Sequence, residues 1–373
     1  MTVLGDTHLR DVGLHDDAFY RSRLSAPVFA VRSLLKPILD AELPLLTKVQ
    51  NWATQRPQFF TNYFLYTANL GSHLFYVLVL PLPAWFGALE LTRDVVFVLG
   101  AGIYFTGLVK DLLSLPRPYS PPIVRRTMSS YTSSEYGCPS SHSANATALI
   151  LILALYHTDS SYYPLHIIYW ITIIAGRIIC GMHGLLDISI GILVGLFTVL
   201  IRVITRSIHD SLVFNQSSPL VPISLVAIYY SLIYFHPIPL EGCPCFEDSV
   251  AFIAVLAGLD LAIWTISYTS PPASIYNHPA RIIYSFQDLG ILRTIARLIV
   301  GVSIVVLWRT IAKPLATSII SKLRREDTST KSTPICWAEL PRTDTRIFVK
   351  FIVYAGIPFV VFYSPLILYP LGI

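Results

Sequence analysis

The sequence predicts an all-α membrane protein that crosses the bilayer about eight to ten times. Hydrophobic residues make up 54% of its 373 residues and charged residues only 13%, whereas soluble domains carry about 25% charged residues. The mean hydropathy of +0.60 is that of a chain with much of its surface in lipid. A span requires about 20 mostly apolar residues. Nine segments qualify, at roughly 64–89, 95–113, 142–157, 165–182, 184–204, 219–235, 249–268, 290–308 and 347–369.

Residues 1–60 are predicted to form a polar and amphipathic N-terminal region that precedes the spans. Residues 1–25 contain no apolar stretch of the signal-peptide type, so membrane insertion is expected to depend on internal segments. Residues 26–50 mix leucines with charged side chains, which is typical of a helix in the membrane interface. The alternative is a poor first span. Two polar stretches, 114–141 and 321–346, interrupt the apolar segments, and the second is predicted to be a flexible surface loop.

Charge and cysteine content argue against two classes of ligand. The net charge of +5 is modest, and no basic run of the nucleic-acid-binding type is present, so nucleic acid is not expected as a partner. The five cysteines include no CxxC pair, so no metal site is expected. Cys243 and Cys245 flank Pro244 and are expected either to pair with a third cysteine in an oxidising compartment or to remain free thiols.

Polar and charged side chains cluster at the predicted ends of apolar segments, where they indicate function because charge is costly in lipid. The sequence KDLLSLPRP ends the second span, PSSH begins the third, and GRIICGMHGLLD joins the fourth to the fifth. An unpaired carboxylate such as Asp187 inside an apolar segment costs about 2.5–3.5 kcal/mol on insertion scales. The residues of the three clusters are Lys110 and Arg117, then Ser140, Ser141 and His142, and then Arg177, His183 and Asp187.

The order of the spans predicts that these clusters meet on one face of the membrane. If 142–157 and 165–182 form a helical hairpin, residue 142 and residues 177–187 lie on the same face. Residues 110–118 lie there as well, because only a loop separates them from residue 142. This expectation requires nothing beyond hydropathy and the parity of the crossings.

The converging side chains are suited to binding phosphate. Lys110, Arg117 and Arg177 supply three cations, the arginines as planar forks and the lysine as a point charge. A helix that begins at PSSH would present free N–H groups and a favourable dipole to an anion. The Ser140 hydroxyl and the Ser141 N–H are the candidate donors there.

Two histidines and a carboxylate complete a candidate catalytic group. Asp187 follows His183 by four residues, so both lie on one helix face if the helix has begun. The carboxylate would then bond one ring nitrogen and leave the other free to attack phosphorus. A second histidine, His142, would supply acid–base catalysis. Chemistry alone leaves the roles of the two histidines interchangeable.

Taken together, the three clusters resemble the signature of the type 2 phosphatidic acid phosphatase superfamily, which also includes vanadium haloperoxidases. That signature reads Lys-x6-Arg-Pro, then Pro-Ser-Gly-His, then Ser-Arg-x5-His-x3-Asp. Ser141 stands here in place of its glycine and Gly176 in place of its serine, and neither departure removes a catalytic side chain. The contexts RPYSPP at 117–122 and EYGCPSSHSANAT at 135–147 resemble the long-chain-base-1-phosphate phosphatase branch, most closely its fungal members.

The resemblance implies a phosphatase core over 61–210 and additional C-terminal transmembrane helices over 211–373. It implies hydrolysis of sphingoid long-chain base 1-phosphates to the free base and phosphate, without a metal or another cofactor, through a phosphohistidine. In these terms His183 is the nucleophile, Asp187 orients it, and His142 is the general acid. The residues expected to bind phosphate are Lys110, Arg117, Ser140, Ser141 and Arg177.

The resemblance also implies an endoplasmic reticulum membrane protein whose site faces the lumen. Arg202 and Arg206, on the face opposite the site, agree with a cytosolic position for that face. Arg125 and the basic stretch 309–325 count against it, because they fall on the site face if every later segment crosses. Asn215 begins a glycosylation sequon that should stay unmodified on a cytosolic face.

Alternative functions remain open at this stage. A broader phosphatidate or isoprenyl phosphate phosphatase would use the same residues on another lipid. A non-enzymatic transporter would instead use the intramembrane charges to line a path. A haloperoxidase is disfavoured, because that chemistry needs no membrane. The preferred sphingoid base and the oligomeric state are left open.

Overall fold

The computed structural model confirms an all-α polytopic architecture. It describes residues 11–129, 132, 134–157, 159–214, 218–269, 271–277, 280–324 and 344–373, without the side chains of residues 73 and 74. The loop predicted at 321–346 lies mostly outside these residues, as do Asn215 and Cys336. Within the described ranges the only β structure is an antiparallel hairpin of two short strands, β1 Tyr276–Asn277 and β2 Arg281–Ile282.

Helices form nearly all of the remaining regular structure in the described part of the chain. In chain order they are α1 Asp17–Arg23, α2 Ala26–Thr54, α3 Gln58–Thr67, α4 His73–Val79, α5 Pro81–Trp85, α6 Leu89–Leu113, α7 Ser141–Tyr156, α8 Tyr163–Ile179, α9 Leu185–Phe214, α10 Leu220–Phe235, α11 Cys245–Thr269, α12 Phe286–Arg324, α13 Thr345–Tyr363 and α14 Pro365–Leu368. Short 3-10 turns at Ala68–Gly71, Ser160–Tyr162 and Tyr369–Leu371 adjoin α3, α8 and α14.

Several helices qualify as membrane spans by length and composition. Six segments of the described chain do so: α6, Ser160–Ile179, α9, α11, α12 and Thr345–Leu371. The pair Gln58–Gly71 and Phe75–Trp85 makes a possible seventh span, bent by 61°, and α7 and α10 are apolar but shorter. The six spans, the bent pair and the two shorter helices correspond to the nine predicted segments. The first is broken because the Ser72 side chain accepts from the Phe75 N–H at 3.2 Å and starts a new helix.

Two core helices are longer than the segments predicted from hydropathy. α6 begins at residue 89 rather than 95, and α9 continues to residue 214 rather than 204. Arg93 and Asp210 occupy these extra turns and pair inside the bundle, with Nη1 and Oδ1 2.7 Å apart. A charge that has a partner within the protein does not need to end a span.

A buried charged network connects α6, α9 and α11 at the end of α6 that is remote from Lys110. Seventeen residues separate Arg93 from Lys110, which corresponds to about 25 Å along a helix. The Tyr229 hydroxyl of α10 donates to Asp260 of α11 at 2.5 Å. The closest charge contacts join Arg202 to Asp94, Arg93 to Asp210 and His209 to Asp260, each at 2.7 Å.

The C-terminal helices pack directly on the helix that carries Lys110. α11 lies between α6 and α13, and α6 and α11 are the most buried of the candidate spans. A Cβ on Gly258 of α11 would lie 2.0 Å from the Ala355 carbonyl oxygen of α13. Only glycine permits this close approach of the two backbones. The C-terminal half therefore forms one wall of the bundle that holds the candidate site.

The N-terminal helix α2 covers helix ends on the same face as the candidate site. It is not among the helices apolar enough to cross a membrane. The Arg32 side chain donates to the Leu113 carbonyl at the end of α6, at 2.9 Å. The Glu42 carboxylate accepts from the Leu185 N–H at the start of α9, at 2.7 Å. Both contacts satisfy backbone groups that helix ends leave without partners.

Candidate active site

The three clusters meet at one end of the bundle. Arg117, in the loop after α6, places Nη1 3.0 Å from Nε2 of His183, in the turn between α8 and α9. The Ser140 N–H, at the start of α7, donates to the Asp187 carbonyl oxygen of α9 at 2.9 Å. These two contacts connect the first and second clusters to the third, as the parity of the spans predicts.

His183 is held by Asp187 in a geometry suited to nucleophilic attack. The ring is 1% exposed, and Nδ1 lies 3.3 Å from Oδ2 of Asp187, which also accepts from the Gly184 N–H at 3.0 Å. With the ring proton on Nδ1, the lone pair is on Nε2, which faces Arg117. Gly181, at φ +66°, provides the left-handed residue with which the chain turns from α8 towards His183.

Burial and the surrounding cations keep His183 neutral. Burial is the largest cause, and Arg117, Arg177 and Lys110 follow; together they hold the pKa of His183 well below its usual value of 6.5. A neutral ring is the form that can attack phosphorus. The ring is therefore unprotonated at neutral pH.

Arg117 and Lys110 both contact the carboxylate of Glu135, which the sequence analysis did not identify as a site residue. The Lys110 ammonium bonds Oε2 of Glu135, and Nη2 of Arg117 lies 3.5 Å from the same oxygen. Arg117 Nε also donates to the Glu135 carbonyl oxygen at 3.0 Å. Burial lowers the pKa of Arg117 to about 10, with Glu135 opposing the shift, so the guanidinium stays charged at neutral pH. Glu135 is the only acidic residue in the polar stretch 114–141, and this is the sequence feature that could have identified it as a partner for the cations.

Arg177 differs from the other two cations because it retains unused donors. It is 3% exposed, at the end of α8. Its Nε and Nη2 atoms are buried and have no hydrogen-bond partner among the described residues. A buried guanidinium without acceptors is costly, and a phosphate oxygen would supply acceptors in the matching planar geometry.

The serines of PSSH occupy the start of α7. The Ser140 hydroxyl oxygen accepts from the Ser143 N–H at 3.3 Å and bonds the Ser143 hydroxyl at 3.0 Å. Ser140 is therefore the N-cap of α7, a role that its assignment as a phosphate donor did not anticipate. Ser141 is the first helical residue, where the N–H has no partner within the helix.

His142 is half-buried at the break between α3 and α4. Its ring packs against Gly71, where a Cβ would lie 2.5 Å from Cδ2 of His142. The same ring makes a hydrogen bond to the backbone of Ala68. The interruption of the first predicted span thus gives the second histidine a fixed position beside the site.

Cys243 and Cys245 are bonded to each other, so both alternatives in the sequence prediction were wrong. Only Pro244 lies between them in the sequence. Their sulfurs lie within 4.8 Å of a carboxylate oxygen of Asp111, beside Lys110. The sulfurs are part of a disulfide and do not offer thiolates to a metal. Cys138 and Cys180 are buried free thiols.

The helical bundle and the site define a class of membrane enzyme. Residues 91–209, from α6 through most of α9, match the PAP2 superfamily. This region contains all eight residues of the three clusters. It matches no solved structure, nor does any other part of the chain.

Relatives that match most of the chain establish membership of that family. A dihydrosphingosine 1-phosphate phosphatase of Saccharomyces cerevisiae is 36% identical over 384 residues, which cover 97% of this chain and 92% of the yeast protein. One of Schizosaccharomyces pombe is also 36% identical, over 84% of this chain and 75% of that protein. Sphingosine-1-phosphate phosphatase 2 of Mus musculus is 26% identical, over 79% and 84% respectively. The chain belongs to the PAP2 superfamily.

Proposed function

We propose that this protein is a phosphoric monoester hydrolase that releases inorganic phosphate from sphingoid long-chain base 1-phosphates in a membrane. The observation that carries the proposal is the position of His183 Nε2, which faces Arg117 while Asp187 holds the opposite ring nitrogen. The relatives supply the substrate class, since the two fungal proteins are named for dihydrosphingosine 1-phosphate and the mouse protein for sphingosine 1-phosphate.

In the first chemical step, Nε2 of His183 attacks phosphorus and the bond from phosphorus to the ester oxygen breaks. Asp187 stabilises the imidazolium that develops, and His142 donates a proton to the departing alkoxide. Lys110, Arg117 and Arg177 stabilise the charge on the phosphoryl oxygens. The products of this step are the free base and a phosphohistidine.

In the second step, water hydrolyses the phosphohistidine. His142, now neutral, takes a proton from the attacking water, and the phosphorus–nitrogen bond breaks to release phosphate. Every group that the reaction requires belongs to a side chain or to water. Full activity in EDTA is therefore expected, and a loss of activity that Mg²⁺ restores would contradict this mechanism.

An apolar cavity inside the bundle, one lining residue of which contacts the helix that carries His142, is suited to the hydrocarbon chain of such a substrate. At its near end is Tyr76, whose hydroxyl accepts from Asn145 Nδ2 at 3.1 Å, three residues after His142. At its far end is Thr92, eighteen residues from Lys110, or about 27 Å along α6. We propose that the chain occupies this space. The lining residues include Tyr76, Val77, Leu80, Thr92, Val96, Phe252, Val255, Leu259, Tyr354 and Ile357.

We further propose residence in the endoplasmic reticulum, with the site facing the lumen. Arg202 and Arg206 support this orientation, because they lie on the opposite side of the bundle from the site. Both form salt bridges with the Asp94 carboxylate, with closest nitrogen–oxygen distances of 2.7 Å for Arg202 and 3.4 Å for Arg206. Labelling of a single cysteine introduced at Ser120, in the loop on the site face, tests the orientation. Reaction with an impermeant reagent in sealed microsomes would contradict it.

The decisive experiment measures phosphate release from dihydrosphingosine 1-phosphate by the purified protein and by His183→Ala. The proposal expects turnover by the native protein and none by the variant, with a similar melting temperature. Phosphatidate and an isoprenyl phosphate are assayed in parallel. Equal turnover of all three lipids would favour the broader phosphatase. Near-normal activity of the variant would remove His183 from the mechanism.

A further inference from the structure

The candidate phosphate site contains a carboxylate that opposes phosphate binding. Glu135 is 8% exposed and bonds the Lys110 ammonium, with Arg117 Nη2 3.5 Å from the same carboxylate oxygen. Two of the three cations that would hold phosphate are thus already paired with an anion. A carboxylate next to a bound phosphate repels it, so a site built only for a phosphate monoester would be better without Glu135.

The charge of the site is matched to a zwitterion. The site contains three cations, Lys110, Arg117 and Arg177, and the carboxylate of Glu135 lies against the first two of them. A phosphate monoester carries about −2 at neutral pH, and a sphingoid base adds an ammonium on the carbon next to the phosphorylated one. Once the phosphate binds Lys110 and Arg117, the ammonium of such a substrate gives the Glu135 carboxylate a new partner, whereas an amine-free lipid phosphate leaves that carboxylate buried without one, which is costly where water is excluded.

We infer that Glu135 binds the ammonium of the sphingoid base and thereby selects amine-bearing lipid phosphates. This inference rests on the proposed function. The phosphate takes over Lys110 and Arg117, and the carboxylate they release lies beside the phosphate, where the neighbouring ammonium must be. The exchange leaves every charge in the site with a partner, which is the condition for holding charges out of water.

A positioning role for Glu135 is the competing explanation. Its backbone carbonyl accepts from Arg117 Nε at 3.0 Å, and its side chain could serve only to hold Lys110 and Arg117 in place. In that case the loss of the carboxylate would damage every substrate to the same extent. Selectivity between substrates with and without the ammonium therefore separates the two roles, whereas activity alone does not.

The experiment compares dihydrosphingosine 1-phosphate with its des-amino analogue of the same chain length. The native protein should prefer the amine-bearing substrate in kcat/KM, and Glu135→Gln should reduce that preference by at least about tenfold, because the ammonium loses its charged partner. Glu135→Asp keeps the charge and should keep the preference. An unchanged ratio in Glu135→Gln overturns the inference, even if both rates fall. Failure of the native protein to release phosphate from either substrate would instead count against the proposed function.

A binding measurement covers the case in which Glu135→Gln turns over neither substrate. The affinities of non-hydrolysable phosphonate analogues with and without the amine are measured in Glu135→Gln and in the native protein. A selective loss of affinity for the amine-bearing analogue supports the inference, and an equal loss for both overturns it. Glu90→Gln is the matched control, since Glu90 pairs with the exposed Arg281 at the far end of α6 and should leave the ratio unchanged.

Discussion

Replacing Asp187 with Asn tests whether the carboxylate sets the reactive form of His183. The Asp187 side chain is fully buried, and Oδ2 bonds both His183 Nδ1 at 3.3 Å and the Gly184 N–H at 3.0 Å. An asparagine oxygen can keep the bond to Gly184. In that position the oxygen also keeps the bond to Nδ1, since both bonds go to Oδ2, but it has no negative charge with which to stabilise the imidazolium. The flipped amide would instead place its nitrogen at Nδ1 and favour the ring tautomer with the proton on Nε2, which leaves that nitrogen without a lone pair for attack.

The size of the effect follows from these contacts. A hydrogen bond to a charged partner contributes about 1.5–3 kcal/mol, and the unreactive tautomer adds to that loss in the transition state. Together they predict a fall in kcat of about 10²–10⁴, or about 3–5 kcal/mol. Stability should not fall in parallel. Oδ1 of Asp187 is buried without a hydrogen-bond partner among the described residues, so a neutral amide is less costly to bury.

The assay pairs phosphate release with the melting temperature, both in the same detergent. Asp187→Asn should lose kcat and keep a melting temperature equal to or above that of the native protein. Asp288→Asn, an exposed position in the first turn of α12, is the matched control and should change neither quantity. A kcat within about fivefold of the native value would show that Asp187 does not control the tautomer.

Three further outcomes are expected. His142→Gln should slow formation of the phosphohistidine from the alkyl ester by about 10²–10⁴ and from an aryl phosphate far less, and phosphohistidine should accumulate on the aryl substrate because the second step loses its base; equal losses in the rate of this first step on both esters would contradict its role as the acid. Val255→Trp should fill part of the cavity and lower kcat/KM for an 18-carbon substrate about tenfold relative to a 12-carbon one, and equal losses would place the chain elsewhere. Since the pKa of His183 in the folded protein is held below 6.5, its ring should stay neutral as the pH falls through 6.5. In the unfolded chain the same ring gains a proton at that pH, so the free energy of unfolding should decrease there. A ¹⁵N-histidine NMR titration, with His183→Gln for assignment, checks this; protonation at the usual pH would refute it.

The convergence of the site could be predicted because it depends on order and hydropathy alone. Arg117 and His183 are 66 residues apart in sequence, yet the hairpin of α7 and α8 returns the chain to the same face. The spacing of His183 and Asp187 also predicted their contact, which the start of α9 provides. Their chemical roles were not accessible in this way, because either histidine could attack or donate a proton.

Contacts made by isolated polar residues could not be predicted. Glu135 lies in an irregular loop without periodicity; it is the only acidic residue there, but that does not indicate that it reaches Lys110. The Ser140 hydroxyl had two possible roles at a helix start, and the structure uses it as the N-cap. In the sequence, Arg93 and Asp210 each indicate the end of a span, because the salt bridge that allows both charges inside the bundle is visible only in the structure. In each case the partner is distant in sequence, and hydropathy carries no information about pairing.

The two charged ends of the bundle distinguish an enzyme from a transporter. At the end remote from the site, three arginines and three aspartates balance in charge, whereas the site has one excess cation when its histidines are neutral. An excess buried cation needs an anionic ligand, and a balanced network does not. A transport path would also need polar groups between the two ends, but α6 has no charged residue between Asp94 and Lys110, and α9 has none between Asp187 and Arg202. The charges therefore form a ligand site at one end and a structural contact at the other, which is the arrangement that a membrane phosphatase requires.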